Sequence, residues 1–214
     1  KGFIVGTGEN DVVPAGIKKP QKYLRSEITY LGDTERHELG VKTFRQGDHE
    51  IVLHTTTNDS LMVSCSSIFN VCSLCGYAVS GIEQKKYSFV IKKRHTTPYG
   101  RECENDELRL CHLSHIFKTD VVQLIFSDNA GYSTMLSTLY ALLRAASLVL
   151  DIESTDISGC LYASSGKTQY SIILYDKVPG GAGHVHRISS DLDVFQSVIQ
   201  RAYTLCHDCD CSPS

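Results

Sequence analysis

The chain has 214 residues, 42% of them hydrophobic, and a formal net charge of −3. That is enough apolar material for a real core in one large or two small domains, so neither disorder nor an extended array is expected. The near-neutral charge does not by itself demand a nucleic-acid partner, although local basic clusters could supply one. No segment holds the roughly 18–20 uninterrupted apolar residues of a membrane span, and the opening KGFIV lacks a signal-peptide core. A cytoplasmic protein with no membrane partner is the expectation. Nine cysteines are many for this length. They cluster near histidines, which favours metal ligation over a disulfide framework. The chain starts without Met and stops within CHDCDCSPS, so it reads as part of something longer.

In chain order, residues 1–70 carry short alternating runs (LRSEITYL, HEIVLHTT, SLMVSC) broken by Gly, Asp and Asn, and read as a β-rich lead-in. Residues 71–118 are poor in apolar periodicity and rich in Cys, Lys and turn residues, the composition of a metal-stapled module. From Thr119 the texture changes. DVVQLIF reads as a buried strand and STMLSTLYALLRAASLVL as a buried helix. SGCLYAS and YSIILYD follow as a strand pair turning near Gly166. SDLDVFQSVIQRAYTLC then reads as a capped helix with Leu192, Phe195, Val198, Ile199 and Ala202 on one face. The order β-α-β-β-α over 119–214 predicts an α+β fold: a mixed sheet with helical cover, joined to a small zinc-stapled β-rich module.

VCSLCG is the strongest motif. Two thiolates two residues apart wrap a tetrahedral ion, and the following Gly76 lets the backbone turn its N–H groups toward sulfur. Two further ligands are needed, and His95 and Cys103 are best placed once a hairpin over GIEQKKYSFVIKK returns the chain. Cys111, His112 and His115 compete for the last positions. A site saturated by Cys72, Cys75, His95 and Cys103 has no open position for water, so Zn2+ there would contribute folding energy rather than catalysis. Cys206, Cys209 and Cys211 look like half of a second, incomplete site. Beside the first site, Lys85, Lys86, Lys92, Lys93 and Arg94 flank an apolar centre. They could contact phosphates, with Tyr87 or Phe89 stacking on bases, or could equally protect an edge strand.

Two segments imitate catalytic machinery. SSGKT (164–168) has the end of a phosphate loop but lacks the upstream glycine and precedes a strand. Asp176, His184 and His186 surround the loop VPGGAG and could be assembled into a hydrolase or metal-dependent nuclease site, yet no nucleophile stands beside them. Asp120 fits a strand start better than a catalytic acid. The loop itself, Pro179, Gly180, Gly181 and Gly183 after Asp176, is the most unusual stretch in the chain. It reads as a structural turn or as a backbone contact point for an anion.

Taken together, YDKVPGGAGHVHRI, the helix after it and CHDCDC resemble the zinc-binding domain of unknown function carried by superfamily-two helicases of the mitomycin-repair type. The helper subunit of DISARM anti-phage systems carries the same domain. VCSLCG, HTTPYGREC, LSHIFKTDVV and DISG match further elements in the same order, over roughly residues 60–211. The resemblance implies a non-catalytic accessory domain of a DNA helicase or defence complex. Its implied partners are DNA and the neighbouring helicase domains or subunits. It also implies that Cys209 and Cys211 begin a longer metal-binding cysteine motif. No helicase ATPase motif occurs in the chain itself.

Overall fold

A computed structural model describes residues 26–32, 34–80, 89–128, 130–163 and 169–207. The elements are β1 (Ser26–Tyr30), β2 (His37–Gln46), β3 (His49–Cys72), β4 (Ala78–Ser80), β5 (Val90–Lys92), β6 (Glu107–Phe126), α1 (Tyr132–Leu150), β7 (Ile157–Ala163), β8 (Tyr170–Asp176), α2 (His184–Ser190) and α3 (Leu192–His207). Among the described residues one antiparallel sheet runs β1-β3-β6-β8-β7, with β2 and β4 also pairing with β3 and β5 pairing with β6. The expected α+β class with helical cover is what forms, built on antiparallel pairs.

The pattern of β8 explains how the sheet is used. Six of its seven residues are buried, so both of its faces are covered. Ile172 and Leu174 point with Val122 and Leu124 of β6 into a core shared with Met135, Leu139 and Leu142 of α1 and Phe195 and Val198 of α3. Ile173 and Tyr175 face the other way, toward Val121, Leu61 and Tyr30. That second core exists because the two ends of the sheet approach each other: the ring of Tyr30 in β1 meets Tyr162 in β7 edge-on at 5.2 Å. Each fully buried Leu, Ile or Phe in these cores contributes about 1.5–3 kcal/mol relative to exposure. The apolar length of α1 is spent on this packing along one side, while Tyr140 and Arg144 stay exposed on the other.

Two differences from the sequence reading matter for the site. HEIVLHTT and SLMVSC are parts of one strand, β3, kept continuous by a bulge at Asn58 and Asp59. Asp59 is fully buried there. Its carboxylate accepts hydrogen bonds from Tyr30 Oη and Thr56 Oγ1, both at 2.8 Å, so the bulge is held by a satisfied acid. DVVQLIF, likewise, is the end of the much longer β6. β3 and β6 together form a two-stranded arm running from the helix-covered core to Cys72 and Leu108. From Val122 to Leu108 the arm measures roughly 45 Å at ~3.3 Å per residue. The expected hairpin turn over GIEQKKYS and the turn near Gly166 with SSGKT lie outside the described residues, as do Lys85, Lys86, Tyr87, Cys209 and Cys211.

Candidate metal centre

The tip of the arm brings four donors together. After β3, the chain turns through Ser73 and Leu74. Gly76 donates its N–H to the Cys72 carbonyl at 2.9 Å, with φ +80°, a conformation that suits glycine. Cys72 N–H closes the knuckle on the Tyr77 carbonyl at 2.8 Å. A second turn, after β5, runs from His95 to Cys103, and the Cys103 N–H donates to the His95 carbonyl at 3.0 Å, pinning its feet. Cys72, Cys75, His95 and Cys103 thus present one ligand atom each, all within 4.8 Å of one another. Cys111, His112 and His115, the competing candidates, lie along β6 and are not among them.

The donor set fits zinc. A tetrahedral ion with Zn–S of about 2.3 Å and Zn–N of about 2.0 Å needs sulfurs about 3.8 Å apart and sulfur to nitrogen about 3.5 Å. Cys72 and Cys103 sulfurs are 3.9 Å apart, and Cys75 Sγ lies 3.1 Å from His95 Nε2, slightly closer than a bound ion would hold them. The imidazole is already oriented: Nδ1 lies 2.9 Å from the Lys93 carbonyl and donates to it, which leaves Nε2 with its lone pair facing the sulfurs. Tyr77 stacks on the ring at 4.5 Å and 14° between planes, fixing its rotation. Asn105 Nδ2 donates to Cys72 Sγ at 3.5 Å and to the Glu107 carbonyl at 3.2 Å. Tyr77 and Asn105 were not singled out from sequence, because nothing in their spacing marks a residue that supports a ligand.

Electrostatics prepare the site for a cation. Burial works against ionising Cys72, but the Cys75 and Leu74 backbone N–H groups, helped by the Cys75 and His95 side chains, outweigh it and bring the thiol down to about 6. The backbone N–H of Asn105 favours the Cys103 thiolate, yet burial and the neighbouring Cys75 and Cys72 sulfurs push that thiol up. Crowded thiolates that raise one another are relieved by a divalent ion between them.

The basic residues near the tip are not a bare cationic patch. Lys92 lies opposite Glu107 across the β5–β6 pair, Arg94 reaches Glu102 at 4.0 Å, and the Lys93 ammonium sits 5.8 Å above the Tyr77 ring. Phe89, named as a stacking candidate, is 84% exposed. Cys206 is exposed at the end of α3, and no further donor group of three or more occurs among the described residues.

At the other end of the molecule, the glycine loop is explained by Asp176. This fully buried carboxylate accepts three backbone N–H groups: Ala182 at 2.7 Å and His184 at 3.1 Å on Oδ2, and Val185 at 3.0 Å on Oδ1. It therefore caps α2 and consumes the N–H groups that an anion would have used. Thr119 Oγ1 donates to the Asp176 and Val178 carbonyls, and Gly180 N–H to Lys118, so the loop is also sewn to β6. Gly181 has φ +82°, and a Cβ there would lie 2.3 Å from an oxygen of Asp120. Burial raises the Asp120 carboxyl, and the Asp176 charge adds to it, against the opposing pull of His186 and the Gly183 N–H. Pro179 and Val178 remain on the exposed outer side of the turn. Of the sequence's alternative acid–base group, Asp176 caps α2, and His184 and His186 lie in the first turn of that helix.

The fold and the donor cluster define a metal-stapled α+β domain. Residues 138–214 match the family model MZB, described as the MrfA Zn-binding domain, which bears out the resemblance carried by the glycine loop and CHDCDC. The match begins inside α1, so the cluster at the arm's tip lies outside it, and the two point to zinc independently. Two solved structures are also similar, each 14% identical: a DUF1998 helicase MrfA bound to DNA, and the same helicase bound to DNA and AMPPNP. The alignments cover 88% and 85% of this chain with TM-scores of 0.48 and 0.40. They take in 21% and 20% of the helicase, so the chain spans about a fifth of its length. No curated protein sequence matches the chain.

Proposed function

We propose that the chain is a non-catalytic, zinc-stapled accessory domain of an ATP-dependent DNA helicase or anti-phage defence complex. Its tasks would be to engage nucleic acid and to dock neighbouring domains. In this reading Cys72, Cys75, His95 and Cys103 hold a structural Zn2+, and Cys206, Cys209 and Cys211 contribute to a second site. The segment 71–118 then carries the metal, while the lead-in 1–70 and the helix-covered core 119–214 are packed together through Tyr30, Leu53 and Leu61, with β3 crossing the boundary at 70 and β6 the one at 118. The observation that carries the proposal is the donor set itself. Three thiols and one imidazole fill a tetrahedral shell, so a bound ion has no position left for water or substrate and would act by fixing the arm's tip. The buried Asp176 carboxylate, with three backbone N–H groups on it, supports the same reading, since a nuclease at Asp176, His184 and His186 would need that group accessible.

DNA contact in this proposal falls to Lys85, Lys86, Lys92, Lys93 and Arg94. Because Lys92 and Arg94 already face carboxylates, few phosphates would be neutralised, and the logarithm of affinity should fall against the logarithm of salt with a slope between about −1 and −3. Fluorescence anisotropy with a labelled oligonucleotide measures it. Charge reversal at Lys92, Lys93 and Arg94 should weaken binding, and absent or salt-independent binding would remove DNA from the proposal.

A further inference from the structure

The metal cluster joins two turns whose outer walls form a groove of about 550 Å3, lined by Leu74, Thr97, Tyr99, Arg101, Glu102, Glu104 and the proposed ligand Cys103. We infer that this groove docks a polypeptide segment presenting an apolar side chain beside a lysine or arginine. Leu74, between the ligands Cys72 and Cys75, is 65% exposed, and Tyr99, at the apex of the turn between His95 and Cys103, is 92% exposed. The backbone beneath Tyr99 is fixed. Thr97 N–H donates to the Arg101 carbonyl at 2.7 Å, Gly100 N–H to the Thr97 carbonyl at 2.9 Å, and Thr96 bridges Glu102, so Tyr99 rides on a closed turn with ligands at both feet. An aromatic side chain offered on a rigid loop loses little entropy on contact and is the residue type that dominates protein interfaces.

The rim decides the occupant. Glu102 and Glu104 edge the groove and, with Asp106, line the adjoining depression, against Arg94 and Arg101. Arg94 reaches toward Glu102, which leaves the rim an excess of carboxylate. Such a rim, with one carboxylate in excess, complements a cation next to the inserted side chain. Lys92, Lys93 and Arg94, to which phosphate contact falls, do not line the groove itself, so polypeptide is favoured over nucleic acid at this particular face. The inference rests on the metal reading, because the two walls belong to separate turns that the ion would hold together.

The test is a 1H–15N titration of the zinc-loaded full chain with the peptide acetyl-Ser-Lys-Phe-Lys-Ser-amide. Its Lys-to-Glu and Phe-to-Ala versions and a thymidine oligonucleotide serve as comparisons, and zinc content is measured on the same samples. Shifts centred on Leu74 and Thr97 to Glu104 are expected with the first peptide, and binding about tenfold weaker with either altered peptide or after Leu74→Ser or Tyr99→Ser. Glu102→Lys with Glu104→Lys should invert the preference toward the glutamate peptide. Equal binding of the three peptides, or zinc present with no shifts at the groove, overturns the inference alone. Tyr99-dependent binding of the oligonucleotide in place of the peptide reassigns the groove to nucleic acid and also overturns it. Zinc absent from the cluster overturns the metal reading beneath it.

Discussion

Replacing Asp176 by Asn separates a structural carboxylate from a catalytic one. The native side chain accepts three N–H groups on two oxygens. An Asn in the same position keeps the shape but turns one oxygen into a donor. In the better orientation its carbonyl serves Ala182 and His184, while its amide then faces the Val185 N–H, donor against donor, in a fully buried setting. Losing one hydrogen bond to a charged group costs about 1.5–3 kcal/mol, and an unsatisfied buried donor about 1–3 kcal/mol, with part of the penalty relieved by local adjustment. An overall loss of about 2–4 kcal/mol follows, which for a domain of this size lowers Tm by about 5–15 °C. Calorimetry of the zinc-loaded chain reads it directly. Asp176→Ala should cost at least as much, because all three donors then lose their partner. An Asp176→Asn protein with unchanged Tm, together with metal-dependent DNA cleavage by the native chain that the substitution abolishes, would refute the capping argument and restore the hydrolase reading.

Two further outcomes follow from the same geometry. At Gly181 an alanine would meet the Asp120 carboxylate while holding a left-handed backbone, so Gly181→Ala should destabilise by about 2 kcal/mol or more; denaturant unfolding with an unchanged midpoint would contradict this. For the metal, the sign is set by Cys72. Its folded thiol is depressed to about 6 from an ordinary value of about 8.5, so the stabilisation of its thiolate is complete above the ordinary value and is lost as pH falls through the folded one. Protons therefore compete with zinc from the acid side. In the metal-free chain the ultraviolet thiolate absorbance of Cys72, isolated by difference against Cys72→Ser, should be lost as pH falls through about 6, and a signal already gone above pH 7 would contradict the depressed thiol.

The donors were legible in the sequence because ligand chemistry is local: C-x-x-C-G fixes a turn, and His95 and Cys103 share one short hairpin whose feet lie side by side. The apolar runs of α1, β7, β8 and α3 were legible for the same reason, since each carries its own period. The arm was not. The outer halves of β3 and β6 carry Ser, His and Cys where a half-buried strand would alternate, and the bulges at Thr56/Asp59 and Ser64/Ile68 shift the register, so one strand reads as two. Asp59 and Asp176 were opaque in another way. A buried acid looks like a catalytic acid until its partners are known, and those partners are a tyrosine 29 residues away with Thr56 in one case and three backbone N–H groups in the other. The glycine loop announced its unusual backbone but not its purpose, which is to wrap Asp176 and clear Asp120.

The central claim is that Cys72, Cys75, His95 and Cys103 hold one structural zinc. Zinc K-edge absorption on the chain carrying Cys206→Ser, Cys209→Ser and Cys211→Ser tests it most directly, because any metal at the C-terminal cysteines is then removed. The account predicts one zinc per chain with three sulfurs at about 2.3 Å and one nitrogen at about 2.0 Å, reduced to two sulfurs and lighter ligands, or lost altogether, in a further Cys72→Ser variant. A chain without zinc that keeps its fold, or a zinc shell without the imidazole nitrogen, would contradict it.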